Sequence, residues 1–180
     1  MKTLNALYLT AQLTKNPQLL DNGICKINVK FTESGHRVYV TLLAAGPLAL
    51  SAMHNLAVGD VITAKAKIYV SYNPDLDLNY YTFMLNKFTK KPQSKAFNYG
   101  QAKGKIVYIK KVNSYTKVSV DTSNGNVLNF VAQRMAPKKA LDSYQEGDNI
   151  DLRYMVHAHV QKTGRRPGYK RNLQVITVNE

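Results

Sequence analysis

Eleven consecutive residues, 161–171, hold the groups best suited to chemistry: Gln161-Lys162-Thr163-Gly164-Arg165-Arg166-Pro167-Gly168-Tyr169-Lys170-Arg171. They supply five cations (Lys162, Arg165, Arg166, Lys170 and Arg171), two glycines and one ring, Tyr169. Cations neutralise phosphates, and an aromatic face stacks on a base for roughly 1–3 kcal/mol whatever the base is. The segment therefore reads as a flexible finger for single-stranded nucleic acid, with a merely solvated charged hairpin as the plainer alternative. A companion segment, residues 71–80, has Tyr72 and Tyr80 near its ends but Asp75 and Asp77 in its middle. Those carboxylates would repel phosphate if they faced it. A third candidate is Tyr39, which alternates away from Val38, Val40 and Leu42. Period-two geometry turns it outward beside Lys26, Asn28 and Lys30; barrel packing is the competing role for a tyrosine on a strand.

Catalytic chemistry finds no comparable set of residues. The histidines are His36, His54, His157 and His159, and Cys25 is the single cysteine. His157 and His159 would share one strand face without a third ligand, so no zinc spacing exists. Ser34-Gly35-His36 and the scattered carboxylates form neither a triad nor an acid pair. Lys103-Gly104-Lys105 lacks the spacing and the hydroxyl of a phosphate-binding loop, which excludes an ATP-driven motor. The expectation is a protein with no catalytic residue, metal or cofactor.

Charge narrows the partner. Lys and Arg number 25 against 11 Asp and Glu, a net +14. Residues 1–92 hold 10 basic and 5 acidic side chains and residues 93–180 hold 15 and 6, so the excess is +5 and then +9. A polyanion is the natural partner. An anionic membrane would want a basic amphipathic helix, whereas these charges fall on strand-like segments and loops. No apolar run reaches the ~18–20 residues that span a bilayer, and no signal peptide opens the chain. With one cysteine there is no disulfide framework, which suits a cytoplasmic setting.

The elements that must position these residues come in two sets. Val58-Gly59-Asp60-Val61-Ile62 returns 88 residues later as Glu146-Gly147-Asp148-Asn149-Ile150. In each copy glycine supplies positive φ, aspartate ties its own backbone, and a strand follows at residues 61–70 or 150–156. A strand precedes each turn (38–42; 127–131) and another follows a polar loop (81–85; 173–177). Before these lie residues 4–13 and 24–32 in the first half, and 105–112 and 115–122 in the second. In residues 4–13, Leu7, Leu9, Ala11 and Leu13 alternate with Tyr8, Thr10 and Gln12, the mark of a half-buried strand. The spacers before the Gly-Asp turns suit short helices at residues 47–56 and 137–144, each opening on a proline. Residues 90–95, with Lys90, Lys91 and Pro92, read as a linker, giving domains 1–92 and 93–180.

The opening resembles a known family. Asn5, Leu9, Leu13, Thr14, Pro17 and Gly23 fall where the bacterial and phage single-stranded DNA-binding proteins carry Asn, alternating aliphatics, a Leu-Thr pair, a Pro and a strand-starting Gly. Ala11-Gln12 departs from the family's small-basic pair before Leu-Thr. The resemblance covers about 30 residues well and the rest of the first half by strand pattern alone. It implies an OB fold, a five-stranded Greek-key barrel gripping oligonucleotides on strands 2–3 and with the loops beside them. The residue-level reading arrives at the same all-β plan: two tandem five-stranded OB barrels, each with a short helix between strands 3 and 4. Members of the family usually finish in an acidic tail tipped by an aromatic residue. Here Val175-Ile176-Thr177-Val178 run almost to the end, so the resemblance implies a coating protein of a phage or mobile element.

The combined expectation is sequence-tolerant protection of single-stranded DNA in replication or recombination, through Lys26, Lys30, Tyr39, Tyr72, Lys162, Arg165, Arg166, Tyr169, Lys170 and Arg171. RNA is an alternative partner, an OB-fold adaptor for other proteins is the alternative role, and a homo-oligomer is compatible with either.

Overall fold

A computed structural model describes residues 3–33, 35–73, 78–90, 98–123, 125–161 and 168–179. The chain is mostly β, with a closed five-stranded barrel, additional strands and few helices. Its order is β1 (Leu4–Leu13), β2 (Gln18–Leu19), β3 (Cys25–Glu33), β4 (His36–Ala44), α1 (Pro47–Asn55), β5 (Val61–Asn73) and β6 (Leu78–Lys90). Then come β7 (Asn98–Val112), β8 (Tyr115–Asp121), β9 (Val127–Ala132), α2 (Met135–Ala140), a 3-10 turn (Leu141–Ser143), β10 (Asn149–Gln161) and β11 (Gly168–Asn179). It divides into two compact units, Ala6–Asn98, and Tyr99–Glu180 together with Met1–Asn5. The boundary expected between residues 92 and 93 lies outside the described residues.

In the Ala6–Asn98 unit the strands pair in a ring. β1 pairs antiparallel with β3 and β5, β5 with β6, and β3 with β4, while β4 and β6 run parallel. β2 adds a two-residue rung to β3. Alternation explains the inside: Ile27, Val29 and Phe31 of β3 and Val38, Val40 and Leu42 of β4 are buried, as are Leu7, Leu9 and Leu13 of β1. The β1 expectation needs one correction, because Thr10 is fully buried. Its hydroxyl meets that of Thr63 at 3.3 Å, which satisfies a polar group that would otherwise be costly to bury. Ala49 and Ala52 of α1 are likewise buried.

The Tyr99–Glu180 unit pairs on the same plan: β7 with β8 and β10, β8 with β9, β10 with β11, and β9 parallel to β11. The repeated turns are built alike. Gly59 sits at φ +90° and Gly147 at +95°, as the third residue of a four-residue turn whose ends close Asp60 N–H to Ala57 O and Asp148 N–H to Gln145 O. The Asp60 carboxylate accepts from Ala57 N–H at 2.8 Å and that of Asp148 from Gln145 N–H at 2.9 Å. Each turn then clasps the first strand of its unit. Leu13 exchanges backbone bonds with Gly59 and Asp60, and Ile106 does so with Gly147 and Asp148.

Several strands run longer than the sequence expectation. β5 and β6 extend through residues 71–73 and 78–80, and β10 and β11 reach Gln161 and Gly168. Much of what composition marked as polar loop is a hydrogen-bonded ribbon, because antiparallel pairing continues wherever partner backbone is in register. Lys90 ends β6 and pairs with Asp60 at 2.9 Å, so it is no linker residue. β7 starts seven residues before the expected Lys105. Its glycines hid it: a Cβ on Gly100 would lie 2.2 Å from Tyr154 Cζ, and one on Gly104 would lie 1.9 Å from the backbone oxygen of Asp121. These are close-approach glycines inside a strand. The second helix begins at Met135 rather than Pro137, which places the proline in the first turn, where no N–H is needed.

Candidate nucleic-acid interface

In the Ala6–Asn98 unit, β3 and β4 present one face away from the core. Its cross-strand pairs are Lys26 with Leu43, Asn28 with Thr41, Lys30 with Tyr39, and Thr32 with Arg37. Thr41 donates to Asn28 Oδ1 at 2.9 Å, fixing the middle of the face. Tyr39 is 42% exposed, directly across from Lys30. The sequence reading placed Tyr39, Lys26 and Lys30 on one outward face, and the structure puts them there. It also adds a cation that reading missed. Arg37 follows the turn after β3, where composition reads only as a hairpin, yet the register sets it diagonally beside Lys30 on the same face. An open cleft of about 360 Å³ adjoins them, lined among others by Thr10, Gln12, Lys30, Thr32 and Arg37. Two cations lining an open cleft, beside an exposed ring, can take a phosphate and stack a base.

The finger residues stand differently. Lys162, Arg165 and Arg166 lie outside the described residues. Tyr169, Lys170 and Arg171 belong to β11, paired by backbone with Val160, His159 and Ala158. They are thus ribbon residues, a correction to the flexible-loop expectation; their side chains lie outside what is described, as does that of Tyr72 in β5.

The Tyr99–Glu180 unit carries a face that the sequence reading passed over. Along β7 and β8 the cross-strand pairs are Tyr108 with Ser119, Lys110 with Lys117, and Val112 with Tyr115, with Asn129 and Val131 of β9 beside Ser119 and Lys117. The available signal was the alternation of Tyr115, Lys117 and Ser119 against the buried Thr116, Val118 and Val120. A register shift between Ile106 and Tyr108 concealed the matching face of β7, since a bulge breaks period two.

Among the described residues, no group of three or more His, Cys, Asp and Glu could hold a metal ion, and no helix is long and apolar enough to cross a membrane. No family model matches the chain, and no curated protein matches it in sequence. Solved structures do match. The wild-type single-stranded DNA-binding protein of Thermus aquaticus superposes with a TM-score of 0.74 at 13% identity, covering 99% of this chain and 93% of that one. A deletion variant of the same protein gives 0.71 at 13% identity, covering 99% and 94%. Likeness of this extent, with so little identity, is likeness of fold, and the fold of this chain is an OB-fold barrel of the kind those structures carry.

Proposed function

We propose that this chain is a non-enzymatic protein that coats single-stranded DNA with little sequence preference, in replication or recombination, through two tandem OB folds. The observation that carries the reading is Tyr39 set against Lys30 and next to Arg37, with Lys26 farther along the same outward face of two adjoining strands. An exposed ring among cations offers stacking and phosphate neutralisation, and neither depends on base identity. The net charge of +14 favours the same partner. The tandem arrangement is supported by the matching rings of strand pairs in the two units and by the repeated Gly-Asp clasp. The structural likeness to proteins described as single-stranded DNA-binding agrees with it.

The test is fluorescence anisotropy with poly(dT), duplex DNA and RNA of equal length over a salt series. Tight, salt-dependent binding of poly(dT), with duplex bound far more weakly, is expected. Tyr39→Ala should weaken it by roughly 1–3 kcal/mol with nearly the parent's salt slope. Preference for RNA would reassign the substrate, equal weak binding of all three would reduce the reading to general polyanion affinity, and no binding would leave an OB-fold adaptor for protein partners.

A further inference from the structure

We propose that the outward face of the β7–β8 ribbon is a second seat for single-stranded nucleic acid, with Tyr108 and Tyr115 stacking bases and Lys110 and Lys117 holding the strand's backbone between them. The inference rests on the reading under Proposed function and assigns residues that reading does not use.

Register makes the case. Lys110 and Lys117 stand directly opposite each other, a like-charge pair that destabilises an antiparallel ribbon unless an anion shares it. Neither forms an ion pair among the described residues. The nearest carboxylate on this face of β8, Asp121, is engaged by the N–H groups of Ser123 at 3.1 Å and Gly125 at 3.3 Å. Tyr108 is 44% exposed and Tyr115 is half-buried, with the Lys117 ammonium 5.5 Å from the centre of its ring. Along the ribbon the rings stand four positions apart, about 13 Å at ~3.3 Å per residue, with the lysine pair midway. Ring, cation pair and ring in sequence suit an extended strand that lays one base on each ring, with an intervening nucleotide and its backbone phosphate over the lysine pair.

The ribbon is also held in place from its other side. Lys111 Nζ donates to the carbonyls of Asp142 at 2.7 Å and Tyr144 at 2.9 Å. Lys138 donates to the carbonyl of Asn113, in the two-residue turn between β7 and β8, and Ile109 N–H donates to Glu146 Oε1 at 3.3 Å. Two of the local cations thus fix the ribbon to the segment around α2, and the other two face outward. A platform fixed before binding loses little order on binding.

The experiment compares the full chain with Tyr108→Ser/Tyr115→Ser, Tyr108→Phe/Tyr115→Phe and Lys110→Gln/Lys117→Gln, each titrated with a fluorescent dT oligonucleotide across a salt series. The serine pair should lose affinity about tenfold or more with an unchanged salt slope, and the phenylalanine pair should keep it. The glutamine pair should flatten the slope by about 0.7, the value for one phosphate on a single strand, and should melt no lower than the parent because the like-charge opposition is relieved. If the parent binds and both the serine and glutamine pairs bind like it, the second seat is overturned and the Tyr39 face stands alone. If the parent binds no single strand, the functional reading falls and this inference falls with it.

Discussion

One cross-strand position tests the architecture through packing alone. In the first ring Leu7 stands opposite Ala66, and in the second Gly100 stands opposite Tyr154. Counting from the clasped residues Leu13 and Ile106 shows that these are the same position, with the large and small members exchanged. Leu9 with Ala64 and Ala102 with Leu152 repeat the exchange one rung on. Tyr154 is fully buried against Phe130, ring centres 5.1 Å apart. Tyr154→Ala should therefore cost about 3–5 kcal/mol, a figure that includes roughly 0.5–1.5 kcal/mol for the ring pair. Gly100→Leu alone drives a side chain into Tyr154, where even a Cβ would lie at 2.2 Å, and overpacking of this kind costs about 1–3 kcal/mol or more. Together the two changes write the first ring's Leu–Ala pair into the second, and the leucine enters the space the ring leaves. Burying it recovers roughly 1.5–3 kcal/mol, so the double variant should be at least about 2 kcal/mol more stable than the summed single effects. Urea denaturation followed by circular dichroism measures all four proteins. Additivity within about 0.5 kcal/mol would refute the claim that the two rings share one packing plan.

Two further outcomes follow from charge. Replacing Arg165 and Arg166 together by Ala should weaken oligonucleotide binding and flatten log K against log salt by about 1 to 1.5 units, at ~0.7 per phosphate; parental affinity and slope in a salt titration would reduce the finger to a solvated hairpin. Acid stability should depend on Asp60 and Asp151. The hydrogen bond from Lys90, then that from Ala57, holds the Asp60 carboxyl below its usual range; burial pushes Asp151 up, but hydrogen bonds from Lys103, Gln101 and Asn179 bring it below. Because both folded values are depressed, their contribution is complete above the ordinary value of 3.8 and is lost as pH falls through the lowered ones. Melting temperature against pH should fall below about pH 4, and Asp60→Asn with Asp151→Asn should flatten that limb; an unchanged limb would refute it.

The sequence by itself determined whatever depends on local period and turn chemistry. Alternation put Ile27, Val29 and Phe31 inside and Lys26, Lys30 and Tyr39 outside, because side chains on a strand alternate between its faces. The Gly-Asp repeat located both turns, since few residue pairs can supply positive φ and a carboxylate to close the backbone. Tertiary structure decided what depends on register between distant segments. Gly100 and Gly104 read locally as strand breakers, and only Tyr154 and the Asp121 backbone explain why nothing larger fits. Arg37 and Lys30 share a face only through the β3–β4 pairing. Lys110 meets Lys117 only because a bulge after Ile106 shifts the alternation of β7, and a single strand read alone carries no trace of the partner that imposes that shift.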